Sequence, residues 1–160
     1  MLTEPQIRSA LMTAIQAADN KARVYRRWRY PAENRLAEWA ALFRDVDRKL
    51  NCYWIRRVRR FPTIKGTPGR LAKVELVYEI RFYFGLFDSN DDAAASEEIA
   101  QARVDTLAAQ LEADVTLGLG RCVGHGGLEL PNDFEDVLIG DWPAHRAVMR
   151  LSVEVANVNC

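Results

Sequence analysis

The stretch from Arg70 to Gly85 constrains this chain more than any other. Val74, Leu76, Tyr78, Ile80, Phe82 and Phe84 alternate there with Lys73, Glu75, Val77, Glu79, Arg81 and Tyr83. A period of two sends successive side chains to opposite faces of a strand, so one face is buried and the other is wetter. The preceding segment, Cys52–Ile64, reads as a second strand, and the cluster Lys65-Gly66-Thr67-Pro68-Gly69 between them reads as a turn. Together they make a long antiparallel hairpin.

The rest of the chain supplies cover for that hairpin. Thr3 and Gln6 stand at capping-box spacing, Pro5 suits a first helical turn, and Ile7, Leu11, Ile15 and Ala18 form one stripe. A helix over Thr3–Ala18 follows, ended by Asp19-Asn20. Val24–Tyr30 reads as a short strand stopped by Pro31. From Ala32 to Asp45 or Leu50, the residues Leu36, Trp39, Phe43, Val46 and Leu50 recur at helical steps. After a turn at Asp88–Asp92, a long helix runs to about Leu117. Asp91 or Ser96 can cap it, and Glu97 and Glu98 suit its positive end. Gly118–Gly127 reads as a flexible loop. Phe134–Ile139 and Ala144–Val155 read as a second antiparallel pair. The expected architecture is one α+β domain over residues 1–160, with antiparallel neighbours throughout and helices packed on one face of the sheet.

Charge narrows the function. Lys plus Arg is 22 and Asp plus Glu is 22, which excludes a polycationic chromatin-type protein and an acidic tail. The balance hides a split: 18 basic and 8 acidic residues up to Arg81, then 4 basic and 14 acidic. Such halves either neutralise each other within one subunit or present one sign at each side, which favours head-to-tail association of identical chains. No apolar run reaches the roughly 18–20 residues of a membrane span, and the N-terminus lacks the basic and apolar parts of a signal peptide. Cys52, Cys122 and Cys160, an odd number and far apart, read as thiols in a reducing compartment.

The motifs mostly favour bland readings. Arg56, Arg57, Arg59 and Arg60, preceded by Tyr53 and Trp54, could track a phosphate backbone and stack on bases. On a regular strand Arg57 and Arg59 point one way, and Arg56 and Arg60 the other. A hairpin closed near Thr67 sets Arg59 opposite Glu75 and Tyr53 or Ile55 near Glu79, so cross-strand ion pairs also explain the charge. Gly118-x-Gly120-x-x-x-Gly124 has the wrong spacing and context for a dinucleotide fingerprint. Cys122-x-x-His125 with His145 and Cys160 lacks the two close ligand pairs of a structural zinc site. Asp88, Asp91, Asp92 and Glu97 lack calcium-loop spacing. Neither Asp133 nor Glu135–Asp136 has an evident acid–base partner. With the two histidines placed in a loop and at a strand start, no Ser–His–Asp or Cys–His arrangement is expected. The reading is therefore of a non-enzyme without metal or cofactor.

The order of elements carries further than any motif. Ile7-Arg8-Ser9-Ala10-Leu11, the strand Val77–Gly85, the stretch Ser96-Glu97-Glu98-Ile99 and the closing Ala147–Val155 together resemble the tail terminator (tail-completion) proteins of tailed bacteriophages, including the lambda-type minor tail protein. The Pro31–Leu50 helix and the basic Arg56–Arg60 strand depart from that pattern. The resemblance implies a virion protein of the tail and neck, made in the host cytoplasm. It implies a homo-oligomeric ring, a hexamer, that caps the tail tube, ends its polymerisation and joins tail to head connector. Its implied partners are itself, the tail tube protein with the sheath as a further candidate, the connector proteins, and genomic DNA passing through the lumen without sequence specificity. Arg56, Arg57, Arg59 and Arg60 are then the candidate subunit- or lumen-facing strand. Asp88, Asp91, Asp92, Glu97 and Glu98 are the candidate acidic counterpart. Another neck ring (a head–tail joining protein) and a nucleic-acid-binding module built on residues 53–60 are the alternatives.

Overall fold

The computed structural model describes residues 2–27, 29, 36–47, 49–64, 71–86, 93–130 and 134–156, with backbone alone at 36, 37, 40, 63, 64, 71, 72 and 93–95. The turns expected at Lys65–Gly69 and Asp88–Asp92, together with Pro31, Asp133 and Cys160, lie outside these residues.

Helix α1, Glu4–Ala18, begins at the expected capping box: the Thr3 backbone N–H donates to Gln6 Oε1 at 2.8 Å. Strand β1, Arg23–Tyr25, is shorter than expected and pairs in parallel with β2, Asn51–Ile64. This corrects the expectation of antiparallel neighbours throughout. The intervening helix α2, Leu36–Phe43, belongs to a crossover that returns the chain to run beside β1 in the same direction. Strand β3, Leu71–Gly85, is central: it pairs antiparallel with β2 on one side and with β6, Trp142–Ala156, on the other. Helix α3, Ala93–Ala113, stops before the expected Leu117. Strand β4, Val123–Glu129, starts inside the segment read as a loop. Val123, His125 and Leu128 pair with β6, and the irregularity between His125 and Leu128 is carried by Gly127 at φ 104°, a conformation that glycine alone adopts freely. Strand β5, Glu135–Ile139, joins β6 through Gly140-Asp141, and Gly140 at φ 59° fits a two-residue hairpin.

The sheet order is β1-β2-β3-β6-β4, with β5 also on the outer edge of β6. The mixed α+β class is as expected. The even-numbered residues Leu76, Tyr78, Ile80, Phe82 and Phe84 of β3 face α1 and α3, joined by Tyr53 and Ile55 of β2 and by Ala147, Met149, Leu151 and Val153 of β6. From the helices come Ile7, Leu11 and Ile15, and Ala100, Val104, Leu107 and Leu111. The exception to one-sided packing is α2. Trp39, Leu42 and Phe43 cover Cys52, Trp54, Tyr83 and Ala144, which form an apolar island on the opposite, otherwise charged face. An apolar helical stripe must be buried somewhere, and this island is its match. Val46, placed in that stripe by spacing, is exposed instead.

A buried polar knot ties the elements together. Asn51 Nδ2 donates to Asp19 Oδ2 at 3.2 Å, Asp19 also pairs with Arg103 of α3, and Asp45 Oδ1 accepts the backbone N–H groups of Asp47 and Lys49 at 2.8 and 3.0 Å. The end of α1, the segment after α2, the start of β2 and the middle of α3 thus share one network.

The cysteine reading also changes. Cys52 is a buried free thiol, whereas Cys122 is disulfide-bonded. Sequence separation hides this, because pairing places Cys122 at the end of the last strand, where the Ala156 N–H donates to its carbonyl at 2.8 Å. Alkylation in denaturant without reductant should therefore label Cys52 and spare Cys122, and Cys122 should label after reduction. Labelling of Cys122 without reductant would remove the disulfide from this account. In the core, Ile80 is 0% exposed, and Ile80→Ala should cost about 2–5 kcal/mol by chemical denaturation. A loss under about 1 kcal/mol, that of an ordinary surface change, would contradict its placement.

Candidate functional site

The basic strand takes its geometry from one extra residue. In β2, Arg56 pairs with Glu79 and Arg57 with Tyr78, but a register shift between Arg57 and Arg59 then sets Arg59 against Val77 and Arg60 against Leu76. A bulge of this kind reverses the alternation of everything beyond it. Cross-strand partners share a face, so Arg56 and Arg59 lie on the open face, while Arg57 and Arg60 lie on the helix-covered side. The expected grouping of Arg57 with Arg59, and of Arg56 with Arg60, is corrected. So is the expected register: Phe61, not Arg59, faces Glu75, and Arg56, not Tyr53 or Ile55, faces Glu79.

The four arginines divide by their partners. Arg56 reaches Glu79 Oε1 at 3.4 Å, and Arg81 reaches the same oxygen at 2.8 Å. Glu79 is buried, so two guanidinium groups compensate one desolvated carboxylate. Arg57, Arg59 and Arg60 are exposed and form no ion pair among the described residues. Strand β1 accompanies β2 only over Cys52–Trp54, so beyond Trp54 the outer edge of β2 carries no strand among the described residues. The aromatics of this run are not available for stacking on bases. Tyr53 is buried and stacks on Phe82 at 4.5 Å, and Trp54 packs on Phe43 at 5.0 Å. Burial pushes the Tyr53 phenol far above its usual range.

Of the acidic counterpart, Asp88, Asp91 and Asp92 lie outside the described residues, and Glu97 and Glu98 stand on the first turns of α3. The ion pair of Arg103 with Asp19, at the end of α1, marks the flank of α3 that faces α1. At helical spacing Glu97, Gln101, Asp105 and Glu112 fall on the other flank, above the β4–β5 end of the sheet. Strand β5 adds Glu135 and Asp136 at that end. The charge of the two halves is thus drawn to opposite ends of the sheet. Among the described ion pairs only Lys73–Glu154 and Arg103–Asp19 link one half to the other; Arg8–Glu4, Lys21–Asp47 and Arg146–Glu135 stay within a half.

One constellation runs against the sequence expectation. Ser96 Oγ lies 2.8 Å from His145 Nε2, and His145 Nδ1 lies 2.8 Å from Asp136 Oδ1. These are the contacts of a serine nucleophile, its base and the carboxylate that orients the base. The pairing of Asp136 with His145 across β5 and β6, and α3 packing over that corner, create it from three distant segments. The expectation that no Ser–His–Asp arrangement forms is corrected. The signal in sequence was the second antiparallel pair, whose register sets Asp136 beside His145, but nothing local pointed to Ser96. Access decides what it can do. Ser96 and His145 are each 2% exposed, and only Asp136, 71% exposed at its carboxylate, reaches solvent. A groove of about 550 Å³ lies elsewhere, lined by Lys73, Glu75, Arg121, His125 and Glu154. The geometry supports a buried polar clasp holding the start of α3 to β6 and β5.

The other histidine is separate. His125 accepts the Gly127 N–H on Nδ1 at 3.2 Å, and burial pulls its pKa below the ordinary value. Among the described residues no group of three or more His, Cys, Asp or Glu is arranged to hold a metal ion, and no helix is long and apolar enough to cross a membrane. No protein-family model and no curated protein sequence matches the chain.

A fluorophosphonate probe should leave Ser96 unlabelled, and Ser96→Ala should lower stability by about 1–3 kcal/mol by leaving His145 Nε2 without its Ser96 partner. Stoichiometric labelling lost in Ser96→Ala would make the clasp a nucleophilic site.

Proposed function

We propose that this chain is a structural protein of a tailed-bacteriophage virion, a tail terminator that assembles into a homo-hexameric ring, caps the tail tube and joins it to the head connector. The observation that carries this reading is the separation of charge. The basic strand β2 and the acidic side of α3 and β5 stand at opposite ends of one sheet, and few described ion pairs link the halves. A subunit polarised in this way is built for heterologous, head-to-tail contact, which closes into a ring when the rotation per subunit allows. The order of elements that resembles the tail terminator family supports the same reading. In it the chain does no chemistry, in keeping with the buried Ser96. Arginines that do not meet a neighbouring subunit face the lumen, where DNA passes without base-specific contact.

Light scattering at micromolar concentration, with and without a polymerising tail tube protein, tests it. The expected outcome is a ring mass in at least one condition and tubes that stop growing once capped. A persistent monomer in both, with tubes growing unchecked, would overturn the reading. A monomer that binds duplex DNA with steep salt dependence would replace it with a nucleic-acid-binding one.

A further inference from the structure

We propose that the bare, arginine-lined edge of β2 takes the β5 edge of a second copy of this chain, so that the sheet continues from one subunit into the next. This rests on the ring reading and names the surfaces that make the ring.

Three observations lead to the β5 end as the occupant. An edge strand without a neighbour presents a row of unpaired backbone N–H and C=O groups, and chains normally block such edges. The edge of β2 carries blocking devices, namely Arg57, Arg59 and Arg60, a bulge at Val58 and Pro62. These devices select rather than forbid. A second β2 would set arginine against arginine, so self-pairing across a two-fold axis is disfavoured, whereas an acidic strand is attracted.

The second observation is that the opposite end of the sheet is the complementary edge. Strand β5 pairs with β6 on one side only and has no strand on its other side among the described residues. It carries Glu135 and Asp136, and the acidic flank of α3 begins above it at Glu97 and continues through Asp105 and Glu112 towards β4. The third observation is apolar. Phe61 on β2 is 45% exposed and Leu138 on β5 is 73% exposed, each a large side chain left in water at its own edge. In the orientation a closed ring requires, β5 runs antiparallel to β2, and a register that sets Arg60 against Asp136 places both on the helix-covered face, while the exposed Phe61 and Leu138 are each drawn into the shared edge.

Because the two surfaces lie at opposite ends of one sheet, each subunit offers both. Repetition then consumes every edge only if the assembly closes, which joins this contact to a ring rather than a dimer.

The test is sedimentation velocity at low ionic strength on the wild-type chain, on R59E/R60E and on E97R/D105R/E112R. Wild type should assemble, each variant alone should remain a monomer, and an equimolar mixture of the two variants should regain the wild-type mass. Hydrogen exchange on the wild type reads the same contact without substitution: on assembly, amides in residues 56–62 and 135–139 should exchange at least tenfold more slowly. Variants that assemble like wild type, or assembly that leaves those amides unprotected, would overturn this interface while leaving the ring reading standing. A wild-type chain that stays monomeric at every concentration, with and without tail tube protein, would overturn both.

Discussion

The structure depends on β3 being used on both faces and both edges. Its even-numbered residues are sealed beneath α1 and α3, which requires Leu76, Tyr78, Ile80, Phe82 and Phe84 to stay in phase over five alternations. Its odd-numbered residues include Glu79, Arg81 and Tyr83, which cannot be buried without partners. Glu79 finds Arg56 and Arg81, and Tyr83 finds Trp54 and Phe43. A one-residue slip of this strand would turn four charges, Lys73, Glu75, Glu79 and Arg81, towards the helix-covered core and five large apolar side chains outside. The pairing with β2 and β6 is therefore strongly specified, and the remaining elements are placed by it.

That specification puts the charge where it is. Because β3 is central, the hairpin partner β2 must lie to one side, with β1 beyond it, and β6 with β4 and β5 to the other. The chain is basic until Arg81 and acidic afterwards. The split in sequence thus becomes a split across the sheet, with α3 adding its acidic flank to the β5 side. Had β6 paired with β2 instead, the same residues would have neutralised one another within a subunit. The topology, more than the composition, makes the molecule polar.

Much of this was legible in the residues. The alternation in β3, the capping box at Thr3 and the stripe Ile7, Leu11, Ile15 each state their structure locally, and the α+β class follows from their order. What was not legible depends on contacts between distant segments. The bulge at Val58 has no glycine or proline to announce it, yet it inverts the faces of Arg59 and Arg60. The strand at Val123–Glu129 is masked by three glycines, whose freedom suits a loop equally well. The parallel β1, the docking of α2 on the second face, the Cys122 disulfide and the Ser96–His145–Asp136 clasp each require knowing which segments meet. The basic run is plain in the sequence, but its aromatic companions Tyr53 and Trp54, a pattern that suits base stacking, belong to the core.

The central claim is that opposite charge at the two ends of one sheet drives head-to-tail association of identical chains. Its most direct test is the mass of the wild-type protein as a function of salt. Exposed charge pairs lose most of their attraction once the screening length falls from about 10 Å at 0.1 M to about 3 Å at 1 M. The account predicts an assembly at low ionic strength that dissociates progressively as sodium chloride is raised towards molar concentration. An assembly that is indifferent to salt, or that forms only at high salt, would contradict it.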